Sequence, residues 1–165
     1  MAINTGKVKD RRTLQFTTIE EILDDAEGLA KGKVQTLGNW SPGQIFKHVS
    51  IIMNQSIDGS PLKLSWMLRL LGKLMKRRFL GGPMPPGFQL PASSAAVLVP
   101  PPTSFEEGLQ CLRSAVHRLQ TETTRAPSPF LGKMSLDEWN VLHCRHASLH
   151  LSFIVPVEAT AGSPA

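Results

Sequence analysis

No stretch of this chain approaches the roughly 18 uninterrupted apolar residues that a membrane-spanning helix requires. The opening residues, Met1 to Arg12, are polar and charged with no apolar centre. No secretory signal is read there, and the expected compartment is the cytoplasm. Cysteine is scarce: Cys111 and Cys144 are the only two. Isolated thiols in a chain without an export signal read as reduced, buried small residues rather than as a disulfide or a nucleophile. Alternating apolar and polar runs are missing as well, with Ala96-Val97-Leu98-Val99 as the one short strand candidate. No internal repeat is visible. Acid is absent from residues 61–102, which contain Lys63, Arg69, Lys73, Lys76, Arg77 and Arg78. That segment carries +6 and the rest of the chain, with 12 basic and 13 acidic residues, −1. The net charge of +5 is therefore one local feature and not a global field.

What is present points to helices. A chain of 165 residues with 41% hydrophobic content suits one soluble domain, which at this size buries roughly 70% of its extended surface. Thr18-x-x-Glu21, Ser41-x-x-Gln44, Ser104-x-x-Glu107 and Ser135-x-x-Glu138 each match a capping box. Pro42 falls at a first helical position, where its missing N–H is harmless. Trp40 with Ile45 and Met134 with Trp139 have the spacing of hydrophobic staples. Apolar residues recur at helical spacing behind these starts: Ile19, Ile22, Ala26, Leu29; then Ile45, Val49, Ile52; then Leu109, Leu112, Val116, Leu119.

The last helical segment carries His143, His146 and His150. At 100° per residue they fall within about a 60° arc, on a face shared with Trp139 and Phe153. His48 lies at the edge of the apolar face of the Ser41-capped helix. Residues i and i+4 hold their Cβ atoms about 6 Å apart, so His146 and His150 can converge on one ion at roughly 2.1 Å. His48 from a facing helix completes three ligands and leaves room for water, the open arrangement of a catalytic site. Cys144 projects about 160° away from His146 and cannot join. His143 has three readings: a fourth ligand, a partner behind the ligands, or a core histidine bonded to a carbonyl. His117 falls on a polar face and is read as solvent-exposed. Gln44, Asn54, Asp58, Glu21 and Asp24 are near enough to supply a base, but each is read as a cap or surface group.

The segments LGNWSPGQIFKHVSIIMNQSIDG and DEWNVLHCRHASLHLSFI together resemble the DinB/YfiT-like metalloprotein superfamily, within it a bacterial branch without an assigned activity. The resemblance runs from Arg11-Arg12 to Pro156. It implies an all-α fold, a DinB-like four-helix bundle, with a long crossover that contains an extra helix and a Pro-rich irregular segment. It also implies a divalent metal site on His48, His146 and His150. Zinc or nickel come first as the ion, and manganese or iron are further choices. Related members hydrolyse small molecules or transfer low-molecular-weight thiols to electrophiles. The expected partners are a small-molecule substrate and, by the same resemblance, a second copy of the chain.

The expected layout is one domain over 1–155, with 61–103 as the crossover insertion and 156–165 as a flexible tail. Leu62 to Leu80 reads as an apolar and basic helix, expected to cap the bundle with a solvated basic face. Nucleic acid and membranes are not the expected partners. The alternatives to a metal-dependent enzyme are a non-catalytic bundle that binds a metal or ligand, and a peripheral membrane or nucleic-acid binder acting through the 62–80 helix.

Overall fold

A computed structural model describes residues 3–82, 84, 86 and 97–157. After a 3-10 turn at Thr5–Lys7, the order is α1 (Ile19–Ala30), β1 (Val34–Thr36), α2 (Pro42–Asp58), α3 (Trp66–Gly81), α4 (Phe105–Thr121), α5 (Leu136–Leu151) and β2 (Ile154–Pro156). Three expected capping boxes close on both sides, at Thr18/Glu21, Ser41/Gln44 and Ser135/Glu138. The fourth closes on one side only. Ser104 accepts from the Glu107 amide, but the Glu107 carboxylate turns to Lys47 Nζ at 2.7 Å.

Helices α1, α2, α4 and α5 form the bundle. Their apolar stripes supply one continuous core around Ile22, Phe46, Met53, Leu109, Leu112 and Leu151. Two glycines set the approach of α2 to α4. A methyl group on Gly43 would lie 2.1 Å from the Ser104 carbonyl oxygen, and one on Gly108 would lie 2.3 Å from that of Gly43. Backbone therefore meets backbone at this end of the bundle, and no larger residue fits without moving the helices apart.

Three features depart from expectation. A two-stranded antiparallel ribbon pairs Val34 with Pro156, Gln35 with Val155 and Thr36 with Ile154. It extends through Leu37 N–H to the Phe153 carbonyl at 3.0 Å and Val157 N–H to the Lys33 carbonyl at 2.8 Å. Pro156 and Val157 are thus engaged, and residues 158–165 of the expected tail lie outside the described residues. The strand candidate also fails: Val97 and Leu98 are helical, while Ala96 and most of the Pro-rich segment lie outside the described residues.

The third departure is α3, which begins at Trp66 rather than Leu62, capped by Ser65. It does not cap the bundle with its apolar face. It rests on the turn before α5, with Gly72 against the Phe130 carbonyl, Phe79 edge-on to Phe130 at 5.5 Å, and Lys76 Nζ bonded to Glu138 at 2.7 Å. Trp66, Met67, Leu70, Leu71 and Leu74 point outward. No helix among the described residues is long and apolar enough to cross a membrane.

Candidate metal centre

Helices α2 and α5 bring His48, His146 and His150 together. One ring nitrogen from each lies within 4.8 Å of the other two, a spacing that can hold a metal ion. His48 Nε2 and His146 Nε2 are 3.2 Å apart. Two nitrogens each about 2.1 Å from one tetrahedral ion would be about 3.4 Å apart, so this pair already has ligand spacing. The ring centroids stand 5.0 Å apart for His48–His146 and 4.5 Å for each of the other two pairs.

The surroundings orient the rings. His48 is buried, and its Nδ1–H donates to the Leu98 carbonyl at 2.7 Å. That bond selects the tautomer whose Nε2 lone pair faces the other imidazoles, the arrangement metal-binding histidines use. Trp40, at the entrance to α2, stacks on His150 at 5.8 Å with 11° between the planes. It also leans on His48 at 4.8 Å, so the indole predicted to staple α2 braces the histidines.

All three rings are held neutral. Burial lowers the His48 pKa despite the opposing bond to Leu98. His146 and His150 lie well below the ordinary histidine value, first through burial and then through repulsion from the neighbouring imidazoles. Neutral imidazole is the form that binds a metal. As whole residues His146 and His150 are part-buried, whereas His48 is buried.

The remaining candidates go elsewhere. His143 is not in the group. Its ring is buried, stacked on Trp139 at 5.3 Å, with Nε2 bonded to Ser56 Oγ at 3.0 Å. It is a core histidine bonded to a hydroxyl, a partner that sequence spacing did not suggest. Cys144 is buried, and burial pushes its thiol up to about 11. His117 is exposed. Asp58 pairs with Arg118 at 2.7 Å, and Asn54 accepts from the same guanidinium at 2.8 Å. Gln44 closes the α2 capping box and donates to the Pro100 carbonyl at 3.1 Å. Glu21 is tied to Thr17 and Thr18. Sequence reasoning missed the Leu98 carbonyl and the indole contact; the Trp40 to His48 spacing, two helical turns, was the available signal for the second.

The sequence profile of a family described as a protein of unknown function, DUF1569, matches residues 8–157. The chain belongs to the DUF1569 family. The match spans every element from the segment before α1 to the end of β2, so the histidine group lies wholly inside DUF1569 sequence. No curated protein and no solved structure matches the chain.

Proposed function

We propose that this DUF1569 protein is a DinB-like metal-dependent enzyme. His48, His146 and His150 hold a divalent ion, zinc or nickel first, that acts on a small electrophilic molecule by hydrolysis or thiol transfer. The observation that carries the reading is the convergence of three neutral imidazoles from two helices, with His48 locked by the Leu98 carbonyl. Donor chemistry supports it. Three clustered nitrogen bases gain little from one another, since at most one proton can be shared at each contact, whereas an ion uses every lone pair at once. A bound divalent ion supplies Lewis acidity that makes water or a thiol a better nucleophile near neutral pH.

The chain's own part is positional. Leu98 fixes the tautomer of His48, and Trp40 fixes the planes of His48 and His150. Glu21 is committed to the α1 cap and Asp58 to Arg118, Asp24 is exposed, and none is assigned a catalytic role.

The test is metal content by plasma mass spectrometry on untagged protein from metal-replete growth, never exposed to chelator, beside His146→Ala. About one ion per chain is expected in the wild type. The ion should be lost in the variant, while helical content by circular dichroism is retained. A wild-type protein without stoichiometric metal would overturn the reading.

A further inference from the structure

The outward face of α3 has no role in the metal centre and no cover among the described residues. At about 100° per residue, Trp66, Leu70, Leu74, Met67 and Leu71 follow one another around a single continuous arc. Arg69 and Lys73 line one border of it, and Arg77 and Arg78 enter it at the C-terminal end of the helix, about one turn past Leu74. Trp66 is 73% and Leu74 76% exposed. Lys63, Arg69, Lys73, Arg77 and Arg78 make no ion pair among the described residues, whereas Lys76, on the inward side, is paired with Glu138. A cluster of large apolar side chains this exposed marks a contact surface.

Charge and geometry select its occupant. A second copy laid face to face would bring the same cations together, in a segment that holds no acid from 61 to 102. A protein groove that wraps the helix is obstructed, because α3 lies so close to its own support that a methyl group on Gly72 would be 2.0 Å from the Phe130 oxygen. A flat anionic surface meets the apolar arc and its basic border together and leaves the inner face in place.

We propose that α3 is a membrane-docking helix that lies in the interface of an anionic bilayer. Trp66, Leu70 and Leu74 sink to the headgroup and acyl boundary, where an indole ring is at home. Arg69, Lys73 and Arg77 sit at the level of the phosphates. A cleft of about 320 Å³ at the start of the helix, lined by Ser60, Lys63 and Arg69 among others, gives an anionic headgroup further donors. This docking is independent of the metal centre and of its chemistry.

The test uses the full chain with vesicles of phosphatidylcholine and phosphatidylserine in equal parts, and with phosphatidylcholine alone. The protein should co-sediment with the anionic vesicles at low salt and be released by high salt. Tryptophan emission should shift to the blue on binding, and the shift should vanish in Trp66→Phe. Replacing two of these cations, Lys73→Gln with Arg77→Gln, should weaken partitioning about 30-fold, roughly fivefold per charge. Leu70→Asp with Leu74→Asp should abolish it with helical content unchanged, since both side chains already face water. Three results would each overturn the proposal: no sedimentation with anionic vesicles at low salt, undiminished binding by the Asp variant, or a solution dimer that this variant dissociates.

Discussion

Lowering the pH from 7 to 5 should destabilise this protein through His143. In the folded chain its imidazole is 1% exposed, and burial first, then the charge of Arg125, pushes its pKa down to about 3. In the unfolded chain it returns to about 6.5. The folded value lies below the unfolded one, so the unfolded state takes up the proton first. The contribution to stability is therefore complete above about pH 6.5 and is lost progressively as the pH falls toward 3. Each pH unit inside that window costs about 1.4 kcal/mol, so the step from pH 7 to pH 5 costs about 2 kcal/mol at this residue alone.

The hydrogen bonds around His143 agree with that direction. Ser56 Oγ donates to the Met53 carbonyl at 2.6 Å, so it accepts from His143 Nε2–H. Nδ1 is then a bare acceptor with no partner among the described residues, and a proton added there would be a buried donor without an acceptor. The assay is urea unfolding at both pH values for wild type and His143→Met, with chelator throughout so that metal does not enter the comparison. The substitution lowers stability at both pH values; the quantity read is the difference in acid sensitivity. Wild type should lose about 2 kcal/mol more than the variant between pH 7 and pH 5. Equal losses would refute the burial argument.

Two further outcomes follow from the same contacts. Trp40→Ala removes the ring that braces His48 and His150, and should lower metal affinity about tenfold or more in a competition titration; unchanged affinity would show that the indole only covers the site. Gly43→Ala or Gly108→Ala forces a methyl group into a neighbouring carbonyl at the crossing of α2 and α4. Each should cost at least about 2 kcal/mol by urea unfolding, while Gly28→Ala, where nothing lies within 4 Å, should cost nothing of the kind.

The bundle was legible in the chain because its signals are local. Ser41, Pro42 and Gln44 mark a helix start within four positions, and the expected stripe Ile45, Val49, Ile52 lies on the inward side, although the structure buries Met53 more fully than Ile52. The histidine group was legible for the same reason, since His146 and His150 are neighbours on one helix and His48 lies on an inward stripe. What was not legible depends on distant partners. Val34–Thr36 and Ile154–Pro156 are too short to alternate and become strands only by pairing with each other. The amphipathic pattern of α3 shows two faces without saying which one meets protein. Gly72 decides that by close approach to Phe130, and the helix turns its leucines to solvent. Glu107 could have closed a box at Ser104, but Lys47 of α2 offered an opposite charge.

His48 and His146 are 98 residues apart in the chain, and the ribbon likewise joins distant segments, β1 to β2. Neither the imidazole group nor the ribbon exists in any fragment that stops short of α5. During synthesis α2 can pair with α4 while His48 still faces an unfilled side of the bundle, because its two companions have not yet been made. The group is completed only when α5 docks on α2, a long-range contact with a large loop to close. Any ion it holds is therefore acquired only after α5 has been made, and cannot template the early pairing of the other helices.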